Sequence, residues 1–299
     1  MVADARVPYD EFSYFEENAR EFGIPWEGPP RVRRTAVSLP DGRALSALVW
    51  GDGEPEMVLL HGGAQNAHTW DTVALALRRP LVAVDLPGHG HSDGAAEGVH
   101  DIGPNAEDVS VAIRALAPNG RAVVGMSLGG LTAIALAERH PELVPRLALV
   151  DITPGVDAVK SRDIVAFVDG PPTFPDFDEL LRRTIEFNPT RSVSSLRRGI
   201  LHNAVQQADG SWVWRWARHR GRSGERLDHR TLWDAVSGLA VPVVLVRGMR
   251  SSSVVDDSDE AELLRRQPGA QVEHIPDAGH SVQGDSPVQL ATILDRFVP

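Results

Sequence analysis

The 299-residue sequence contains no cysteine, which excludes a disulfide framework, a thiolate nucleophile and any metal site built on thiolates. It has no helical H-E-x-x-H pattern either, so nothing in it reads as a zinc hydrolase. No uninterrupted apolar run is long enough to cross a bilayer, and the opening MVADARVPYDEFSYFEENAR is acidic and lacks the apolar core of a signal peptide. Basic residues are in deficit, 30 Lys+Arg against 41 Asp+Glu for a net charge of -11, which argues against a nucleic-acid or anionic-membrane surface. Internal repeats and low-complexity segments are absent. What is left, 42% hydrophobic and 24% charged residues, is the composition of a soluble globular protein. The expectation is a cytoplasmic chain acting on a small molecule, with no nucleic-acid or membrane partner and an oligomeric state that composition leaves open.

The central stretch is Ala122 to Glu138, AVVGMSLGGLTAIALAE. It opens as a short apolar strand and from Leu128 continues with apolar residues at helical spacing. Between the two lies Gly125-Met126-Ser127-Leu128-Gly129, a G-x-S-x-G. A sharp strand-to-helix turn strains the central serine, and glycines on either side leave room for the neighbouring chain, so Ser127 stands exposed in front of a helix N-terminus. Gly90-His91-Ser92-Asp93-Gly94 matches the same pattern, but no strand runs into it and no helix follows. Context selects Ser127.

Around this unit, strands and helices alternate. Tyr9 to Phe22 reads as an amphipathic helix packing on the main domain, and Arg33 to Leu39 with Leu45 to Trp50 as a hairpin turned at Pro40-Asp41-Gly42. Met57 to Leu60, Leu81 to Val84, Leu147 to Val150, Val243 to Val246 and Val272 to Ile275 read as buried strands. Met57 to Leu60 runs straight into His61-Gly62-Gly63-Ala64, whose glycines either make a plain turn or aim a backbone N-H into a cavity. The alternation predicts a mostly parallel, doubly wound sheet with its site at the C-terminal ends of the strands. From Gly155 to Leu232 the sheet rhythm stops, apolar residues fall in helical steps, Trp212, Trp214 and Trp216 alternate, and arginines crowd 215 to 226 as a solvated face.

In four separately placed motifs the chain resembles the α/β-hydrolase family: His61-Gly62-Gly63, Asp85 to Ser92, Gly125 to Gly129, and Asp277-Ala278-Gly279-His280. The resemblance implies the α/β-hydrolase fold with an inserted helical cap: an N-terminal arm at 1–31, a core at 32–153 and 233–299, and the cap at 154–232. It also implies hydrolysis of esters and related bonds with no metal and no organic cofactor. Ser127 would be the nucleophile, His280 its base, and the backbone N-H groups of Leu128 and Gly63 the oxyanion donors, with Ala64 a second candidate. Met126, Phe167 and Trp214 are candidates to line substrate, with Phe174 and Trp212 beside them. His61 would shape its loop.

A final absence concerns the acid. The family's usual position, a few residues after Gly248, reads Met249-Arg250-Ser251-Ser252-Ser253, with no carboxylate before Asp256 and Asp257. Some members carry the acid after the preceding strand of the sheet, the place matched by Asp151, whereas Asp256 and Asp257 also suit a helix N-terminus. The leading expectation is a serine hydrolase of a small, largely uncharged ester, lactone or thioester. Carbon-carbon bond hydrolysis on the same scaffold, or a ligand-binding protein that has lost catalysis, are the alternatives.

Overall fold

The structure is a computed structural model and describes residues 7–94, 101–217 and 229–299. Its main sheet has eight strands: β1 (Val32–Ser38), β2 (Ala44–Trp50), β3 (Met57–Leu60), β4 (Leu81–Val84), β5 (Ala122–Met126), β6 (Leu147–Val150), β10 (Val243–Gly248) and β11 (Gln271–Ile275). A smaller sheet contains β7 (Thr173–Phe174), β8 (Ala204–Gln206) and β9 (Trp212–Trp214). The main sheet runs β1-β2-β4-β3-β5-β6-β10-β11, with β2 antiparallel to both its neighbours and every pair from β4 to β11 parallel.

The central strands are apolar throughout because both faces of the sheet are covered. Successive residues feed two separate cores: Val58, Val123 and Leu245 pack with the helices Ile102–Leu116 and Leu128–Arg139, while Leu59, Val124 and Val246 pack with Asp71–Leu77 and Pro287–Phe297. Because β3, β5, β6, β10 and β11 are parallel, their C-terminal ends share one edge, and Ser127, Asp151 and His280 all follow strands there.

The N-terminal helix is shorter than its apolar spacing suggests, Phe15–Glu21. Asp10 holds the preceding residues in a turn, its side chain accepting from the Phe12 N-H and its carbonyl from Ser13. Phe15 packs on Trp50 with ring centroids 5.0 Å apart, so this segment does cover the main domain. It also meets the insertion: buried Arg198 donates from Nε to Asn18 Oδ1 at 2.8 Å.

The insertion is not purely helical. It holds the helices Arg162–Val168, Phe177–Phe187 and Val193–Asn203, but also the antiparallel sheet β7-β9-β8. The alternation Trp212-Val213-Trp214 is the period of a strand, and the turn at Asp209-Gly210, with Gly210 at φ 88, makes β8 and β9 a hairpin. Arg215 is half-buried, its N-H bonded to the Asn203 carbonyl at 2.8 Å, rather than part of a solvated face. The arginines expected on that face from 218 onward lie outside the described residues. Among the described residues no helix is long and apolar enough to cross a membrane.

Candidate active site

Ser127 sits between β5 and the helix Leu128–Arg139 at φ 51 and ψ -119, a conformation that costs a non-glycine residue roughly 1–3 kcal/mol. The glycines of the motif are required by space. A Cβ on Gly125 would meet the Gly129 carbonyl oxygen at 2.4 Å, and one on Gly129 would meet the Leu60 carbonyl oxygen at 2.2 Å. Gly130, which the motif does not include, is equally confined, 2.3 Å from Ile152. Ser92 differs in every respect: its hydroxyl donates to the Asp85 carbonyl at 2.6 Å and accepts from the Ser46 N-H at 2.8 Å. It ties a loop to β2.

Asp151, fully buried, follows β6 at φ 47, and its N-H extends the ladder to the Val246 carbonyl at 2.8 Å. Its Oδ2 accepts from His280 Nδ1 at 2.9 Å and from the Val254 N-H at 3.1 Å. Its Oδ1 accepts from the Gly248 N-H at 2.9 Å and the Ser253 hydroxyl at 2.6 Å. An ionised carboxylate only accepts, so His280 carries its proton on Nδ1 and leaves Nε2 as the basic nitrogen. The serine run that stands where a carboxylate was expected thus supplies one donor to a carboxylate on the neighbouring strand. Nothing in the local sequence marks Ser253 among three consecutive serines. A Cβ on Gly279, just before His280, would stand 2.0 Å from Ser252 Oγ, so the serine run also packs against this turn.

The other two acids are occupied elsewhere. Asp256 caps the helix Asp257–Arg266, accepting from the Ser258 and Asp259 N-H groups at 3.0 Å each, and lies 2.9 Å from Lys160. Asp257 pairs with Arg247 at 2.8 Å with its side chain 96% exposed. Of the three candidate acids, only Asp151 is brought to His280.

The turn after β3 lies against the serine: a Cβ on Gly62 would stand 3.2 Å from Ser127 Cβ. Buried His61 donates from Nδ1 to the Gly62 carbonyl at 2.7 Å and accepts from the Leu86 N-H on Nε2 at 2.9 Å. Burial holds its pKa below the ordinary value, so it stays neutral and fixes the turn. The Gly62 N-H is used by Gln65 Oε1 at 3.1 Å and the Ala64 N-H by His89 Nε2 at 3.2 Å. The N-H groups of Gly63 and Leu128 bond to no described residue. With Ala64 engaged, Gly63 and Leu128 are the available pair.

Of the candidates to line substrate, Met126 is 1% exposed and packs beneath the turn with its Sδ against Gly62, so it is wall rather than lining. Trp214 meets Phe167 and Phe174 edge-on at 5.6 and 5.7 Å and stacks on Trp216 at 5.8 Å. Trp216 bridges to His89, which places this aromatic group beside the turn that holds Ala64. Phe174 and Trp212 are buried in the insertion's own core.

His68, Asp71 and His202 bring ligand-type atoms within 4.8 Å of one another. The two imidazoles stack at 3.8 Å and 13°, however, so their in-plane lone pairs run side by side and meet at no common point. Arg34 Nη2, 3.2 Å from His68 Nε2, adds positive charge. The trio is a joint between insertion and core.

A mostly parallel eight-stranded sheet with a strained serine between strand and helix, and a histidine-carboxylate pair on the same edge, is the α/β-hydrolase architecture. Residues 57–293 match the sequence profile of the Alpha/beta hydrolase family, and the chain belongs to that family. It is 45% identical to Esterase Rv0045c of Mycobacterium tuberculosis over 98% of both chains. A structure of that esterase, titled for its transition metal inhibition and structural refinement, superposes with a TM-score of 0.84 at 44% identity, covering 96% of this chain and 98% of the other. The 2-(acetamidomethylene)succinate hydrolase of Mesorhizobium japonicum is 28% identical over 82% of this chain and 88% of its own. The chain is an α/β-hydrolase enzyme.

Proposed function

We propose that this enzyme is a serine esterase that cleaves small, largely uncharged esters, lactones or thioesters through an acyl-enzyme intermediate. The observation that carries the reading is the hydrogen bond from His280 Nδ1 to the buried Asp151 carboxylate, on the strand edge that also bears Ser127. His280 Nε2 takes the Ser127 hydroxyl proton as the oxygen attacks the carbonyl carbon, then gives it to the leaving alkoxide or thiolate. Asp151 holds the Nδ1-H tautomer and stabilises the imidazolium. The tetrahedral oxyanion sits between the N-H groups of Gly63 and Leu128, each worth about 3 kcal/mol of barrier. Water activated by His280 then releases the acid by the same steps. Phe167 and Trp214, in the roof formed by the insertion, line the acyl site.

An intact His280-Asp151 pair supports catalysis over a silent binding role, and the 45% identical esterase supports an ester over a carbon-carbon bond. Fluorophosphonate labelling followed by peptide mapping tests the reading. The adduct is expected on Ser127, and Ser127→Ala should lose both labelling and turnover of p-nitrophenyl butyrate. An adduct on Ser92, or turnover surviving in Ser127→Ala, would overturn it.

A further inference from the structure

We infer that Asn203, the last residue of the insertion helix Val193–Asn203, is a positioning residue for the oxyanion turn, so that docking of the insertion sets the rate of the chemical step. The inference rests on the proposed role of Gly63 as an oxyanion donor. Among the described residues nothing beyond its chain neighbours lies within 4 Å of the space a Gly63 Cβ would fill, and a glycine with open space around it keeps its rotational freedom unless both flanks are tied. On one side the Gly62 carbonyl, in the same peptide plane as the Gly63 N-H, is held by His61 Nδ1 at 2.7 Å. On the other side stands Ala64, left-handed at φ 60 although it is not a glycine. Such a conformation persists only where the surroundings over-determine it.

Two bonds do so. The Ala64 N-H donates to His89 Nε2 at 3.2 Å, and the Ala64 carbonyl accepts from Asn203 Nδ2 at 2.6 Å. His89 is itself set by its Nδ1 contact with the Pro87 carbonyl at 3.0 Å. Asn203 is oriented by Asn66, whose Nδ2 donates to Asn203 Oδ1 and to the His202 carbonyl, both at 3.1 Å. His61 and His89 belong to the core. Among the described residues Asn203 is the insertion's direct bond to Ala64, and the His68-His202 stack beside it packs the end of the helix on the core.

Asn203→Asp keeps the side chain's shape and the acceptor for Asn66 but removes the donor to Ala64. Asn203→Ala removes both. Each is assayed with wild type and Ser127→Ala on p-nitrophenyl butyrate, with thermal melts and with inhibition by an alkyl trifluoromethyl ketone, whose serine adduct carries the oxyanion. The expected result for Asn203→Asp is a fall in kcat of about tenfold to a hundredfold with KM changed less than about twofold, because a displaced donor loses transition-state rather than ground-state binding. Ketone potency should weaken by the same factor as kcat/KM. Unchanged kcat in either folded variant, or a loss confined to KM with ketone potency intact, would overturn the inference and leave the esterase reading standing. Turnover surviving in Ser127→Ala would defeat that reading whatever Asn203 does.

Discussion

Replacing Asp151 by asparagine is the sharpest perturbation of this site, because the amide must choose between two bad orientations. The carboxylate accepts four hydrogen bonds, two on each oxygen. If the amide nitrogen takes the Oδ2 place, it faces the Val254 N-H and His280 Nδ1. The imidazole must then accept on Nδ1 and carry its proton on Nε2, where it cannot receive the serine proton. If the nitrogen takes the Oδ1 place it faces the Gly248 N-H, the tautomer survives, and only the negative charge is lost. Either orientation opposes two donors in a buried site, a cost of about 1–3 kcal/mol. Loss of the tautomer lowers turnover about 10⁴-fold in an unrelated serine hydrolase. A charged acceptor is roughly twice as strong as a neutral one, so losing charge alone is the milder outcome. The expected fall in kcat is therefore about 10²- to 10⁴-fold, with a melting temperature lower by about 2–12 °C for a chain of this size. Turnover of p-nitrophenyl butyrate, normalised to folded enzyme, reads the effect. An Asp151→Asn enzyme retaining a third or more of wild-type kcat would refute the assignment, as would an equal loss in Asp256→Asn.

Asp256→Ala should leave kcat within about twofold while costing about 0.5–2 kcal/mol in a thermal melt, the value of a helix N-cap. Ser92→Ala should likewise keep turnover and labelling but lose about 1–3 kcal/mol of stability, since Ser46 and Asp85 lose their shared hydroxyl. The contact between the N-terminal segment and the core should be pH-dependent. Burial disfavours the His68 imidazolium, but the Asp71 carboxylate at 2.8 Å and Glu11 raise its pKa to about 9. Burial likewise opposes the Glu11 charge, but hydrogen bonds from His68 and Arg34 lower its pKa to about 2. A raised histidine stabilises below its unfolded value of about 6.5 and stops doing so as pH climbs through 9, while a depressed carboxyl stabilises above about 4.3 and stops as pH falls through 2. Melting temperature should thus decline as pH climbs from about 6.5 toward 9, and His68→Asn should flatten that alkaline decline. An alkaline limb unchanged in His68→Asn would show that another group governs it.

What the sequence determined was whatever is enforced over a few consecutive residues. Gly125, Ser127 and Gly129 are legible because the turn that makes the serine protrude also forbids a Cβ 2.4 and 2.2 Å from neighbouring carbonyl oxygens. The apolar strands are legible because burial on both faces leaves no room for polar residues. Tertiary structure decided which carboxylate meets His280: Asp151 and His280 lie 129 positions apart, and whether a carboxylate crosses from β6 to the turn after β11 depends on strand order and on backbone donors from the end of β10 and the loop after it. The same holds for Ser253, a hydroxyl in a run of three that matters only because it points at Asp151, and for Asn203, which reaches Ala64 from 139 positions away. Within the insertion the strand period of Trp212-Val213-Trp214 was present but lay among helices, and the pairing with β7 and β8 settled it. A turn is constrained by its own neighbours, whereas a hydrogen bond between distant strands is constrained by the packing of the whole sheet.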